Sequence, residues 1–518
     1  MIRKLIALFI FAPLSVIASC GPAAGGGGPE SYDGRCQAAR SEHSQALHTR
    51  RYQPVELLVY EWPADDEVTV PTDGRPGLIT EAGFVAGLRR GKARTTLLTG
   101  GAGVGKSTLT GSLRAQLCGE MPVAAVDLAW GLTLTDSANP LFDAVARDLG
   151  AQSGSDALAA IRQRVSDQPF VLLLDAFDEV GTDNKKAVAG YVRDLAGKLP
   201  AARIVVFSRP PVYAATRALF GEFDAGVGLP SAACNKIDWL VTVRQGAPWE
   251  KANYSKFTAH HGLKRSETTG VGCRYSYINT YRDLDMIWAI AQPTGDKVLE
   301  ADFATSFRGA RATLVDFYVK GQLLRGFEGK NFRPAQAMTV IDEMVRPLVP
   351  DFGRTPFSFS QSSCEAAVAA AGQKANVQSD RFCKAMLASA LFAGKGTERR
   401  FASRTIDEFF VARAIANELA AAADDKCPAV AAHKSHLESN EVAAFLLGLP
   451  AGGNCLAHVL QQLCLGDMPA AWVIGTVRRG LPYGEQRIAN VGHAAEKVSS
   501  EAPGGACVER VLAGLARQ

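Results

Sequence analysis

Apolar residues in the first half of this chain come in short unbroken runs separated by helix-like periods. Arg94–Gly100 (RTTLLTG), Val123–Ala129, Phe170–Leu174 and Arg203–Phe207 (RIVVF) are continuous rather than alternating, the pattern of strands buried on both faces. Lys106–Cys118, Asn139–Leu149, Ser155–Val165 and Lys185–Leu199 carry helical patterns between them. Such alternation predicts an α/β domain whose parallel sheet is covered by helices. Tyr52–Glu61 (YQPVELLVYE) is a further β-prone segment ahead of it. Past residue 230 the character changes. Helical periodicity rich in Ala, Leu and Phe dominates from Leu284 onward, as in Ala312–Leu324, Cys383–Phe392 and Ile406–Leu419. Gly353–Gln361 (GRTPFSFSQ) is a candidate small β element, and Ser231–Tyr281 fits neither pattern and reads as an insertion. No repeat of fixed period marks a solenoid.

The turn after the first buried run carries chemistry. Gly100-Gly101-Ala102-Gly103-Val104-Gly105-Lys106-Ser107 fits G-x-x-x-x-G-K-[ST] and lies between an expected strand and an expected helix, the setting a phosphate loop requires. Its glycines let backbone N–H groups turn inward around phosphates, and the following helix adds its positive N-terminal end. Gly100, Gly101, Ala102, Gly103, Val104, Gly105, Lys106, Ser107 and Thr108 are therefore the candidate nucleotide-binding residues. Lys106 supplies a point charge for the β- and γ-phosphates, and Ser107 a hydroxyl for Mg²⁺.

The apolar run 170–174 ends in Asp175-Ala176-Phe177-Asp178-Glu179, at the strand end where open α/β sheets bind ligands. Asp175 is the candidate second Mg²⁺ residue. Asp178 and Glu179 are candidates to polarise the attacking water, with Glu179 first choice for general base. The alternative, a solvated acidic turn, loses weight with a phosphate loop upstream. Arg209, leaving the next strand in Phe207-Ser208-Arg209-Pro210, is a candidate to touch the γ-phosphate; taken alone, such an Arg-Pro is a plain turn.

Together GGAGVGKST at 100–108, VLLLDAFDE at 171–179 and VVFSRP at 205–210 resemble the NACHT family of STAND-class P-loop NTPases. Ala176 stands where that family commonly has glycine. Arg282–Pro293 and Arg311–Arg325 (RATLVDFYVKGQLLR) are similar to the family's helical region, and Arg400–Glu418 (RFASRTIDEFFVARAIANE) resembles the segment closing its winged-helix unit. The winged-helix histidine that many relatives use to hold ADP has no counterpart that can be placed. The resemblance implies a parallel-sheet P-loop NTPase core followed by mainly α-helical and winged-helix-like domains. It also implies a slow ATPase with Mg²⁺, closed on ADP and self-associating as a homo-oligomer after exchange, in signalling or bacterial defence. Two alternatives stand beside it: an interaction scaffold with vestigial hydrolysis, and a GTP-specific switch. The guanine-type letters Asn235-Lys236-Ile237-Asp238 occur, but beyond the expected core.

The N-terminus modifies this picture. Arg3 and Lys4, an apolar run from Leu5 to Val16, and Ile17-Ala18-Ser19-Cys20 follow the order of a lipoprotein signal peptide, with Cys20 as the lipidated residue and membrane anchor. A plain membrane anchor or a misassigned start are the alternatives. The expected organisation is a signal peptide at 1–19, a tether at 20–50 and a lead-in at 51–93. The NTPase core follows at 94–230, a helical domain with insertion at 231–345, a winged-helix-like region at 346–420 and C-terminal helices at 421–518. A used signal places the protein on the periplasmic side; an unused one leaves it cytoplasmic. Without Cys20, ten of the eleven cysteines remain, an even number compatible with disulfides outside the cytoplasm. Cys364 with Cys383, or Cys455 with Cys464, are candidate pairs, whereas Cys118 reads as a small apolar residue of the phosphate-loop helix. His260-His261, between Cys234 and Cys273, has no metal-ligand spacing. The net charge of +4 over 518 residues, with no dense Lys/Arg tract, indicates no nucleic-acid partner.

Overall fold

The computed structural model describes residues 31–229 and 311–516, together with 286 and 289. Within these spans the larger interruptions fall at 49–51, 62–76, 132–138, 152–155, 210–218, 328–331, 354–356, 373–378, 423–426, 452–454, 466–472 and 482–504, beside shorter ones that include residue 102. Cys20, the guanine-type letters at 235–238, the His260-His261 pair, Cys234, Cys273 and the insertion at 231–281 lie outside the described residues.

A seven-stranded sheet organises the first half. Its strands are β1 (Glu56–Glu61), β2 (Gly77–Thr80), β3 (Thr95–Thr99), β4 (Val123–Asp127), β5 (Phe170–Asp175), β6 (Ala202–Ser208) and β7 (Ala225–Gly228), in the order β2-β1-β7-β3-β6-β5-β4. The five strands from β7 to β4 are parallel, and β1 runs antiparallel to both β7 and β2. Every residue of β5 is buried, which is why its apolar run is unbroken. The short β7 (AGVG) was not anticipated because it is too small and glycine-rich to register as a strand. A Cβ at Gly228 would come within 2.7 Å of the Tyr60 ring, so glycine there lets β1 cross closely.

Helices cover the sheet: α1 (Tyr32–His48), α2 (Glu81–Arg90), α3 (Lys106–Leu117), α4 (Leu128–Gly131), α5 (Pro140–Asp148), α6 (Ala157–Val165) and α7 (Thr182–Lys198). Thr80, Asn139 and Asp156 cap α2, α5 and α6 with side-chain oxygens, satisfying N–H groups that helices leave unpaired. The lead-in is locked to the phosphate-loop helix through Glu81, which is 1% exposed. Its carboxylate accepts from the Tyr52 hydroxyl (2.5 Å), the Val55 N–H (3.0 Å), Ser112 (2.5 Å) and Gln116 (2.6 Å). Four donors offset the desolvation of one buried carboxylate.

The second half packs α8 (Arg311–Gly326), α9 (Pro334–Val345), α10 (Gln361–Ala370), α11 (Ser379–Leu387), α12 (Arg404–Ala422), α13 (Pro428–Ala432), α14 (Lys434–Leu437), α15 (Asn440–Gly448), α16 (Leu456–Leu465) and α17 (Gly505–Ala516). Between α11 and α12 stands an antiparallel hairpin, β8 (Phe392–Ala393) with β9 (Arg400–Phe401). Phe359 bridges to Arg399 beside it, which makes this a winged-helix-like unit and accounts for the β character of 353–361. The fold is thus a parallel-sheet P-loop NTPase core followed by helical and winged-helix-like parts. Among the described residues two separate apolar cores form, one spanning Tyr32 to Leu229 and the other Met286 to Leu515.

Several expectations need correction. Residues 32–48, inside the stretch read as a tether, form α1 and are docked on the core. The Tyr32 hydroxyl accepts the Val123 N–H (2.9 Å), and Arg35 reaches the Asp148 carbonyl (2.9 Å). The segment 383–392 is not one helix: α11 stops at Leu387 and Phe392 enters the hairpin. Its apolar spacing serves both because all of these side chains face one core. Cys118 is not merely an apolar filler but pairs with Cys36 (Cα–Cα 5.8 Å). Cys364 and Cys383 pair as one of the candidates had it, while Cys455 pairs with Cys427 and Cys464 with Cys507. Nearness in sequence misled there, since both partners are set by tertiary packing.

The Cys36–Cys118 bridge closes a loop of 82 residues and staples α1 to the end of α3. Its removal in a Cys36→Ser/Cys118→Ser variant is expected to lower stability by about 4 kcal/mol, the chain-entropy value for a loop of this size. Guanidinium unfolding midpoints of the two proteins measure this. Coincident midpoints would mean that the bridge contributes nothing to holding the core.

Candidate functional site

The phosphate loop sits between β3 and α3. Asp224 accepts from the N–H groups of Arg94 and Thr95 (2.8 Å each), fixing the start of β3, and the Gly100 N–H donates to the Ser208 carbonyl (3.0 Å), fixing its end against β6. Gly103 (φ 74°) and Gly105 (φ 103°) take left-handed backbone, which a side chain would resist. A Cβ on Gly100 would approach Val104 to 2.7 Å, and Val104 is itself buried at 2% exposure as the loop's anchor. Lys106 opens α3, and its ammonium donates to the carbonyls of Gly100 (2.9 Å) and Gly101 (3.3 Å). Ser107 and Thr108 are exposed at the same helix start. Ala102 lies outside the described residues.

β5 delivers the acidic residues one strand away from β6. Burial pushes the Asp175 carboxylate up, against the opposing pull of the Ser107 hydroxyl and the Lys106 charge. This pairing of a hydroxyl and a carboxylate at a helix N-terminus is the donor set expected for a nucleotide-bound Mg²⁺. The residues present therefore fit a phosphate and its metal. Ala176 then adopts left-handed backbone (φ 60°, ψ 30°), the physical reason a glycine is suited to this position. The turn Phe177–Glu179 follows, with Phe177 packed edge-on against Phe220 (4.9 Å). For Asp178, burial raises the carboxyl, but Lys106 and Arg209 together outweigh it and leave it below the ordinary range. Glu179 moves the other way: burial first and the neighbouring Asp178 charge second push it up. Two adjacent carboxyls are thus driven apart, one a fixed anion and one closer to a base.

Because β6 lies between β3 and β5, Arg209 emerges between the phosphate loop and the acidic turn. Its guanidinium pairs with Asp178 (Nε–Oδ2 2.7 Å) and, across to the second half of the chain, with Glu408 of α12 (Nη1–Oε1 2.7 Å). Asp178 and Glu408 have side chains 4% and 2% exposed. Arg404, one turn earlier on α12, lies 3.8 Å from Glu408 and stacks over Phe352 at 4.0 Å. Arg404 also acts electrostatically on Glu179, and Arg400 is within range of Asp127 at the tip of β4. Asp407 is pushed up to about 8, by burial first, with Glu179 and Glu408 adding and Arg404 and Arg400 opposing.

The structure therefore brings together Lys106, Ser107, Asp175, Asp178, Glu179 and Arg209, and adds four residues with no role assigned from sequence: Arg400, Arg404, Asp407 and Glu408. A signal for the last two was present. The pair Asp407-Glu408 is embedded between Ile406 and Phe409-Phe410, so a helix burying that stripe also carries charges toward a partner surface.

No family model and no curated protein matches the chain. Among solved structures it is similar to the Aeropyrum pernix ORC1 protein in complex with DNA, at 15% identity over 64% of this chain and 89% of that one, with a TM-score of 0.30. It is also similar to Drosophila ORC bound to DNA, at 14% identity over 60% and 86%, with a TM-score of 0.24. Both of those proteins were solved with DNA. The expectation from composition that no nucleic-acid partner is indicated does not stand, because a small net charge by itself excludes none.

Replacing Ala176 by Gly is expected to raise stability by about 0.5–1 kcal/mol, since only the methyl group resists the left-handed backbone. A urea midpoint that falls instead would show that the methyl's packing outweighs its strain. Asp407 has a separate signature. The folded protein keeps its proton up to about pH 8, while the unfolded chain loses it near 3.8. Between those values the folded state holds the extra proton, so this group's contribution to stability falls as pH rises. Asp407→Asn should flatten the decline in urea midpoint between about pH 5 and 8; an unchanged slope would place the effect elsewhere.

Proposed function

We propose that this P-loop NTPase fold works as a NACHT-type switch, binding a nucleoside triphosphate and hydrolysing it slowly, with ATP favoured over GTP. The observation that carries the reading is the convergence of Lys106, the Ser107–Asp175 pair, Glu179 and Arg209 at the C-terminal ends of β3, β5 and β6. In this reading the loop 100–108 holds the phosphates, with Lys106 neutralising the β/γ end. Ser107 and Asp175 would hold Mg²⁺, which when bound supplies charge neutralisation between the β- and γ-phosphates. Glu179, raised by burial and by Asp178, takes a proton from the attacking water. Asp178 orients Arg209 toward the γ-phosphate, and the anionic state forced on it suits that task. The segments 231–345, 346–420 and 421–518 are proposed as the helical, winged-helix-like and C-terminal parts that respond to the nucleotide. Self-association and a part in signalling or bacterial defence rest on the NACHT resemblance.

The disulfides favour a compartment. Four pairs bridge the described residues, and reducing cytosol keeps such thiols apart. This supports the exported, Cys20-anchored, periplasmic-side reading. It equally favours a second function, a membrane-tethered scaffold with vestigial hydrolysis, because compartments beyond the inner membrane lack a maintained ATP pool.

Equilibrium binding of labelled ATP and GTP to the protein and to Lys106→Ala, with phosphate release followed in parallel, separates these readings. The switch expects ATP binding abolished by Lys106→Ala, and release slowed at least 100-fold by Glu179→Gln. Tight binding retained by Lys106→Ala would remove the site assignment. Binding without any release would leave the scaffold.

A further inference from the structure

Arg209 carries an ion pair between the two halves of the molecule. Among the described residues their apolar cores are separate. Across the seam an ion pair joins Arg209, at the tip of β6, to Glu408 on α12. A second carboxylate from the same side, Glu441 on α15, also lies within electrostatic range of Arg209. Glu441 is held at 2.8 Å by Arg311 at the start of α8, a residue with no exposed surface. The α12 helix packs along α15, and α15 along α8. One guanidinium is therefore balanced by carboxylates from both halves, Asp178 and Glu179 on the core side and Glu408 and Glu441 on the helical side.

We infer that Glu408 is the protein's own occupant of the Arg209 position meant for a γ-phosphate, so that the closed arrangement is held by an internal ion pair and is released by a triphosphate. This rests on the P-loop being a nucleotide site and names how that site is regulated. Asp178 pairs with Arg209 at 2.7 Å and is also lowered by the Lys106 charge, so the guanidinium and the phosphate-loop lysine act on the same carboxylate. A γ-phosphoryl group placed against Lys106 offers more negative charge than a carboxylate and a geometry that arginine grips with two parallel bonds. Arg209 cannot satisfy it and Glu408 together. Once Arg209 turns, Glu408 loses its 2.7 Å partner and keeps Arg404 at 3.8 Å, and weakening the pairing of a buried carboxylate is costly. Separation of the seam lets water in and removes that cost. A diphosphate lacks the competing group and leaves Glu408 in place. The sequence offers no placeable histidine to hold ADP, and with this pair none is needed for closure. The ligand discriminates between the two states through one contact, as a population shift requires.

The test uses the full chain with Glu408→Gln, and with Glu408→Asp as a second variant that keeps the charge but withdraws it by one methylene. Hydrogen–deuterium exchange is read on α12 and α15 without nucleotide, with MgADP and with a non-hydrolysable MgATP analogue. Small-angle scattering reads overall opening, and binding of both nucleotides is titrated. The wild type is expected to be protected and compact both without nucleotide and with MgADP, and to loosen with the analogue. Nucleotide-free Glu408→Gln should already show the loosened exchange, with Glu408→Asp between the two. Removing the competitor should tighten analogue binding roughly tenfold while MgADP binding stays put, a coupling of ordinary size. A merely structural role would weaken the fold without changing that preference. Wild-type protection persisting in nucleotide-free Glu408→Gln, or equal gains for both nucleotides, overturns the proposal. If Glu408→Gln fails to fold, wild-type exchange in Glu408→Asp does the same. Should the wild type bind neither nucleotide, the P-loop reading fails on its own, and the nucleotide-free comparison still decides the fate of the ion pair.

Discussion

Parallel pairing of β6 between β3 and β5 determines where Lys106, Asp175, Asp178, Glu179 and Arg209 stand. The register pairs Thr99 with Ser208 and Leu174 with Val206, so the phosphate loop, Arg209 and the acidic turn leave neighbouring strand ends on one edge. Nothing in the individual motifs demands this. A phosphate loop binds phosphate alone, and an acidic turn alone is a solvated turn. Side by side they set Lys106 and Arg209 beside the carboxylates of the acidic turn, the arrangement on which the proposed function rests.

The same placement creates an electrostatic constraint on the rest of the molecule. A guanidinium at the edge of a buried sheet must be compensated, and Asp178 supplies only part of that compensation. The remainder comes from α12, some two hundred residues later, through Glu408. The seam between the two apolar cores is therefore held by charges that are costly to separate individually. Apolar seams tolerate sliding by small amounts, whereas an ion pair at 2.7 Å sets a particular register of one body on the other. Asp407, held protonated by burial first and by its carboxylate neighbours second, shows how close the cluster comes to excess negative charge.

The disulfides act at a different level. Cys36–Cys118 ties the N-terminal helix to the back of the phosphate-loop helix, while Cys364–Cys383, Cys427–Cys455 and Cys464–Cys507 each join helices or segments within the second core. None of the four crosses from one core to the other. The covalent bonds therefore stiffen each body and leave the seam to the ion pair, which is the part of the structure able to respond to a ligand.

The α/β core was legible in the amino-acid sequence, because four continuous apolar runs between helical periods have few other ways to bury both faces. So were the phosphate loop and the acidic turn, since each is a local arrangement whose chemistry depends on residues a few positions apart. The left-handed backbone at Ala176, the short glycine-rich β7, the docking of α1 and the disulfide partners beyond Cys364–Cys383 depended on contacts between distant segments. So did the meaning of Asp407 and Glu408, which in a one-dimensional reading are two charges in an apolar helix. Only the tertiary structure could decide that one of them faces Arg209. Electrostatic pairing across a seam has no local period or spacing, and its partners are chosen by how two separately packed cores come to lie against each other.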